Sequence, residues 1–129
     1  MRRLAVGSWW LVVAAAVLAV ASAARVQAAD PDKGKAVFDQ CAACHSLGDP
    51  GDFEGPLLKG VFGRKAGSLE DYRYSAAMKR SGVTWDAASL DAYITDPQAF
   101  IPGNRMAFAG IADKAQRDDL IAYLAVASK

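Results

Sequence analysis

The sequence contains few of the side chains from which metal sites are usually built. Its 129 residues include two cysteines and a single histidine. A structural zinc site needs about four ligands, and cysteine and histidine together cannot supply them here. Whatever chemistry these three residues perform must therefore draw on another kind of ligand or on a prosthetic group.

The sequence also lacks an excess of charge of either sign, with 15 Lys and Arg residues against 14 Asp and Glu residues. Without residues 1–28 the remaining 101 residues carry 12 basic and 14 acidic side chains, a net charge of −2. A nearly neutral domain has no field that would attract nucleic acid or anionic lipid. Both classes of partner are excluded, and the length allows one domain.

Residues 1–28 have the pattern of a secretory signal peptide. Arg2 and Arg3 precede an apolar run over residues 4–24, and small residues precede Ala28. This order predicts export to the periplasm and cleavage after Ala28, with cleavage after Ala23 as an alternative. An apolar run of this length could also remain as a membrane anchor. We expect a signal peptide at 1–28 and a functional domain at 29–129.

The rest of the chain shows helical periodicity, without strand-like alternation or internal repeats, and predicts an all-α domain. Asp30 and Pro31 are typical of a helix start, and this first helix should end near Cys44. Residues 46–68 contain many glycines and prolines and are predicted to form a loop.

Two further helices are predicted in the second half of the chain. Thr84 is expected to cap a helix that Pro97 stops. A loop over residues 101–110 separates it from a final helix that begins at about Asp113. The apolar stripe of that last helix consists of Leu120, Tyr123, Leu124 and Ala127.

The segment from Cys41 to His45 has the spacing Cys-x-x-Cys-His, which is the attachment pattern of c-type haem. Two residues between the cysteines allow both sulfurs to form thioethers with one porphyrin, and the adjacent His45 can bind its iron. A disulfide or thioredoxin-like redox pair would leave the histidine without a role, and the βαβ pattern of thioredoxin is absent. The motif therefore predicts one covalently bound haem c, attached through Cys41 and Cys44.

The sixth iron ligand distinguishes an electron carrier from a catalyst, because an open iron binds gases or peroxide. Met78 and Met106 are the candidates. Met106 lies in a loop between two helices, where it could cross the far face of the haem, whereas Met78 lies in a helix-like stretch where methionine usually fills the core. We predict ligation by His45 and Met106.

The sequence resembles the soluble class I cytochromes c of mitochondria and of bacterial respiratory and photosynthetic chains. The likeness covers nearly all of residues 30–129. It is carried by Gly34, Phe38, the Cys-x-x-Cys-His motif, Gly55-Pro56, the segment 60–64, Tyr72, Tyr74, Trp85, Tyr93, Pro97, the segment 101–106, Phe108 and the segment 120–124.

The resemblance implies a small cytochrome c fold, with helices wrapped around one haem, and roles for six further residues. Pro56 would accept the Nδ1 proton of His45 through its carbonyl. The haem propionates would be bound by Arg64, Tyr74 and Trp85. Tyr93 and Asn104 would lie near the sulfur of Met106 and tune its donation to iron.

The chain departs from the family pattern where mitochondrial relatives present lysines around the exposed haem edge. The corresponding positions here are Gln40, Gln98, Ala99, Arg105, Ala112 and Asp113. Only Arg105 is positively charged, so a strongly basic docking surface is not expected. Met78 is a second departure, since many relatives carry an asparagine at that position.

The resemblance thus implies a monomeric electron carrier and no enzyme, with no small-molecule substrate. Its donor would be of the quinol–cytochrome c oxidoreductase type, and its acceptor a terminal oxidase, a reaction centre or a reductase. Two alternatives stay open at this point. One is a haem enzyme or gas-binding module with open iron, and the other is a carrier tethered to the membrane by its N-terminal segment.

Overall fold

The computed structural model describes residues 27–48 and 50–129, and these fold as a small helical domain. The predicted signal peptide at 1–28 falls almost wholly outside the described residues. The helices are α1 (Pro31–Ala42), α2 (Ala76–Arg80), α3 (Ala87–Thr95), α4 (Pro97–Phe100) and α5 (Lys114–Ala127). Within the described residues, extended pairing is limited to one isolated antiparallel bridge between Lys65 and Thr84. The predicted all-α class is confirmed.

Helices α1 and α5 pack against each other and form the centre of the fold. The Asp30 carboxylate caps α1, and the Asp30 amide donates to Asp119 Oδ1 of α5 at 2.7 Å. A Cβ atom at Gly34 would lie only 2.8 Å from Cβ of Tyr123. The crossing is therefore close enough that only glycine fits there. The rings of Phe38 and Tyr123 pack beside this crossing, 5.5 Å apart.

The predicted loops and all three predicted helices are present, and the short helices α2 and α4 are additional. The start and the end of α3 each show a difference from the prediction. The cap of α3 is Asp86, not Thr84, and its carboxylate accepts from Ser89 N while the Ser89 hydroxyl accepts from Asp86 N. Thr84 is engaged in the bridge with Lys65 instead. Pro97 ends α3 as expected, but it also starts α4 at the first helical position, where its missing amide proton costs nothing.

Helix α1 ends slightly earlier than predicted, at Ala42, and the turn that follows carries the motif. The amides of Cys44 and His45 both donate to Cys41 O, at 3.0 and 2.9 Å. This turn presents both cysteines and the histidine to the interior from one short segment. No helix in the described part of the chain is long and apolar enough to cross a membrane.

Candidate haem-binding site

The interior of the domain contains a cavity of about 250 Å³ that collects nearly all of the predicted site residues. Cys41, Cys44 and His45 line it from the turn after α1, and Met106 lines it from the loop before α5. The other predicted site residues on its walls are Pro56, Arg64, Tyr74, Trp85 and Tyr93. Asn104 lies behind this wall, hydrogen-bonded to Tyr93.

His45 is held in one tautomer by the main chain. Its Nδ1 lies 2.7 Å from Pro56 O, and a carbonyl oxygen can only accept, so Nδ1 carries the proton and Nε2 keeps a lone pair. Burial lowers the pKa of His45, against the opposing effect of the Pro56 hydrogen bond. The ring is therefore neutral at neutral pH, which is the form that binds a metal.

The approach of the His45 ring to the main chain depends on Gly55. A Cβ atom at Gly55 would lie 2.7 Å from His45 Nδ1, which is closer than real contacts allow. The Gly55 amide donates to Cys44 O at 2.8 Å and so holds this segment of the loop against the Cys-x-x-Cys-His turn. Gly55 and Pro56 together orient the imidazole, one by leaving space and the other by accepting its proton.

The wall around these polar groups is largely apolar. It includes Leu58, Val61, Leu90, Ile94, Phe108, Leu120 and Leu124. Leu120 is fully buried, and the rings of Trp85 and Tyr93 pack at an inclined angle with centroids 5.0 Å apart. Burial raises the pKa of the Cys41 thiol to about 11. Such a wall excludes water from whatever group the cavity holds.

Arg64 has two of its guanidinium N–H groups bound to the main chain. They donate to Leu57 O at 2.7 Å and Lys59 O at 3.0 Å. Burial lowers the pKa of Arg64 and raises the pKa of Tyr74. Both shifts show that the corner of the cavity formed by these two side chains is partly desolvated. An arginine has five N–H donors, so further donors remain for an acidic group placed in this corner.

The mouth of the cavity contains three charged residues, of which the sequence analysis had named only Arg105. Glu54 places its carboxylate 3.8 Å from Cys44 Sγ, and its carbonyl accepts from the Tyr72 hydroxyl at 2.6 Å. Arg73 and Arg105 lie on the rim as well, both exposed. The one available signal for Glu54 was its position immediately before Gly55-Pro56.

The residues present fit a c-type haem. Two thiols on one turn, a neutral imidazole nitrogen and a thioether line a single apolar cavity, and a desolvated arginine and tyrosine form one corner. Soft sulfur and imidazole donors suit iron in a porphyrin. The described residues offer no cluster of three or more His, Cys, Asp and Glu side chains that would hold a metal ion directly.

Comparisons with known proteins agree with this fit. The family model for cytochrome c matches residues 31–128. A cytochrome c2 from Rhodoblastus acidophilus is 52% identical over 99 residues, which cover 75% of this chain and 92% of the relative. A cytochrome c-550 from Nitrobacter winogradskyi is 46% identical over 96 residues, covering 74% and 88%.

A solved structure is also similar. Cytochrome cH from Methylobacterium extorquens has a TM-score of 0.70 and 45% sequence identity, covering 74% of this chain and 97% of the other. The predicted fold, haem attachment and class of function are thereby confirmed. The chain belongs to the cytochrome c family, and it is an electron-transfer protein with a haem c attached through Cys41 and Cys44.

Proposed function

We propose that this protein is an exported one-electron carrier of a respiratory or photosynthetic chain, in which His45 and Met106 would bind the haem iron. The observation that carries the proposal is that both side chains line the same cavity as the two cysteines. With both side chains bound to it, the iron would have no free position for a substrate and would only gain or lose an electron, so no bond in a substrate would be made or broken.

When bound in this cavity, the haem would supply an iron atom that accepts and releases one electron. The protein would keep the ligands and the surroundings of that iron the same in both oxidation states. Pro56 O retains the Nδ1 proton of His45, which makes the imidazole a stronger donor through Nε2. Met106 contributes a soft thioether, a ligand that raises the reduction potential. The apolar wall excludes water, so little solvent has to reorganise when the charge changes.

Arg64, Tyr74 and Trp85 are proposed to bind the haem propionates. Arg64 and Tyr74 share the desolvated corner of the cavity. A pair of carboxylates placed there would gain charge-assisted hydrogen bonds from the remaining guanidinium donors. Their burial would otherwise be unfavourable, because an unpaired carboxylate loses its hydration.

The electron enters and leaves through contacts with redox protein partners. For this chain we propose a quinol–cytochrome c oxidoreductase type of donor and a terminal oxidase, reaction centre or reductase as acceptor. We further propose that residues 1–28 are removed on export and that residues 29–129 act as a monomer in the periplasm. The N-terminal sequence of the isolated protein tests the cleavage. A mature protein that begins with Met1 would contradict it.

The ligand assignment is tested by paired substitutions of two methionines that line the same cavity. Met106→Ala should give a high-spin ferric haem that binds cyanide readily and, once reduced, carbon monoxide. Met78→Ala should stay low-spin, because Met78 lies on helix α2, where we propose that it fills the core, whereas Met106 lies in the loop before α5. Absorption spectra of both ferric variants make the comparison, and an open iron in Met78→Ala alone would overturn the assignment.

A further inference from the structure

Gln98 is an exposed residue of α4 whose side-chain amide is bound at both ends by the loop that carries Met106. Its Nε2 donates to the main-chain oxygen of Asn104 at 3.0 Å, and its Oε1 accepts from Gly103 N at 3.4 Å. These two residues lie shortly before Met106 in the chain. The side chain therefore bridges α4 and the loop, although its exposed position also offers water as a partner.

Only a side chain with both a donor and an acceptor can make these two hydrogen bonds. A main-chain oxygen can only accept, and a main-chain N–H can only donate. Lysine and arginine have donors alone and an ionised glutamate has acceptors alone, whereas the glutamine amide has both. Gln98 occupies one of the positions where mitochondrial relatives present lysine. A lysine there could not accept from Gly103 N, so glutamine adds a contact to the loop as well as removing a charge.

Helix α4 provides a firm support for this bridge, whereas the loop on its other side is exposed. Pro97 is fully buried, and the Asp96 carboxylate caps α4 by accepting from Ala99 N at 3.0 Å. Gly103 is exposed and has a φ of +86°, so the loop turns there through a conformation that favours glycine. Exposed segments open locally more readily than buried ones. Hydrogen bonds across this turn therefore limit how often the loop opens.

We propose that Gln98 is a positioning residue that keeps Met106 on the haem iron by limiting the opening of this loop. This inference rests on the proposed ligation by Met106. Gln98 is not among the residues that line the cavity, so it acts on the iron ligand through the main chain of the loop. An open loop has lost both hydrogen bonds, and a variant that cannot make them should therefore open more often.

Imidazole added to the ferric holoprotein measures the opening of the loop, because it can bind the iron only after Met106 has left. At high imidazole concentration the rate of binding reaches a limit, which is the rate of opening. Gln98→Met removes both hydrogen bonds and keeps a side chain of similar length. Its limiting rate should be about tenfold higher than that of the wild type, a factor that corresponds to about 1.4 kcal/mol.

Gln98→Glu separates hydrogen bonding from side-chain shape. The carboxylate has nearly the shape of the amide, but near neutral pH it has no proton to donate to the main-chain oxygen of Asn104, and it repels that oxygen. The limiting rate of Gln98→Glu should therefore rise at least as much as that of Gln98→Met. A side chain that merely filled space would give the wild-type rate in Gln98→Glu.

Gln116 of α5 provides the matched control. It is also an exposed glutamine near the start of a helix, and its hydrogen bond to Asp113 uses the main-chain amide, which a substitution keeps. Gln116→Met and Gln116→Glu should keep the wild-type limiting rate. If Gln116→Glu accelerates binding as much as Gln98→Glu, the added charge is the cause and the proposal is overturned.

Stopped-flow absorption of the wild type and these variants forms the test. Higher limiting rates in both Gln98 variants alone would support the proposal, and a wild-type rate in either of them would overturn it. Hydrogen exchange of the Gly103 amide, followed by NMR, does not depend on iron and should be faster in Gln98→Met; unchanged exchange would also overturn the proposal. Absence of the ferric Met–iron charge-transfer band from the wild type would instead show that Met106 ligation itself had failed.

Discussion

At the scale of single residues, the contrast between buried and exposed charge is clearest in α5. Arg117 is buried, donates to Asp91 Oδ1 at 2.7 Å and also binds the carbonyls of Ile111 and Ala112. Lys114 lies one turn earlier and pairs with Asp118 on the surface. The first pair joins α5 to α3 and to the loop that carries Met106. The second stays within α5.

The two pairs should therefore differ in their contribution to stability. Arg117→Leu should lower the free energy of unfolding by about 2–4 kcal/mol, because two buried carbonyls lose their donor along with the ion pair. Lys114→Ala should lower it by about 0.5 kcal/mol or less, since an exposed pair is well screened. Urea unfolding of both reduced holoproteins measures the difference. Equal losses would show that Arg117 does not hold the loop.

Part of the candidate site could be predicted from the sequence, because the spacing of some residues is typical of one kind of chemistry. The Cys-x-x-Cys-His spacing identified the two cysteines that attach the haem and predicted His45 as an iron ligand, and position in a loop favoured Met106 over Met78. The amide orientation of Asn104 could not be predicted in this way, because it depends on carbonyls of Pro97 and Ile101 that side-chain identity does not reveal. Glu54 at the cavity mouth was missed because its only signal in the sequence was its position immediately before Gly55-Pro56.

At the scale of elements, the crossing of α1 and α5 sets the position of the motif. A Cβ atom at Gly34 would meet the Asp119 main chain and Tyr123. Gly34→Ala should lower the free energy of unfolding by about 1–3 kcal/mol, because overpacking outweighs the better helix propensity of alanine. Gly48→Ala is the control, since its Cβ would meet nothing closer than 3.9 Å. Thermal unfolding distinguishes them, and equal stabilities would contradict a close crossing.

The N-terminus of α3 gives a pH-dependent prediction. The hydrogen bonds from Ser89 lower the pKa of Asp86 below its ordinary value of 3.8. A lowered pKa in the folded state adds stability that is present above pH 3.8 and is lost as the pH falls through the folded pKa. Asp86→Asn keeps an acceptor for Ser89 but cannot titrate.

Wild type should thus be more stable than Asp86→Asn at pH 7, and the difference should diminish below about pH 4. Urea unfolding of the ferrous protein at several pH values between 3 and 7 measures it. A stability difference independent of pH would show that the carboxylate charge plays no part in the cap.

Helix starts were harder to predict than helix faces. Thr84 and Asp86 are both good capping residues, and propensity alone does not separate them. The structure uses Asp86 because Thr84 pairs with Lys65, a contact between distant parts of the chain. Periodicity predicted the apolar face of α5 only in part. Leu120 and Leu124 are buried as expected, but Tyr123 and Ala127 are half-buried, and the buried Arg117 and Ile121 were not predicted.

At the scale of the whole molecule, the balance of charge governs encounters with partners. Residues 29–129 carry a net charge of −2. All six positions compared with mitochondrial lysines are exposed, with Arg105 as their only cation. Arg73 adds a second positive charge at the cavity mouth, which the sequence had not indicated, and Glu54 opposes it.

Association with an acidic redox partner should therefore depend only mildly on salt. We expect the second-order electron-transfer rate to change by well under tenfold between low and physiological ionic strength, compared with the tenfold or greater effects of strong steering. Stopped-flow mixing with an acidic partner measures it. A steep fall in rate with salt would reveal a basic patch formed by Arg73, Arg105 and their neighbours.

His45 and Met106 are proposed to bind the iron of one haem, which would then transfer single electrons without binding a substrate. Redox titration of the isolated protein, followed by absorption in the presence of carbon monoxide, tests it most directly. We expect one reversible one-electron transition, a low-spin ferric spectrum with a Met–iron charge-transfer band, and no binding of carbon monoxide by the reduced protein near neutral pH. A high-spin ferric haem whose reduced form binds carbon monoxide would contradict it.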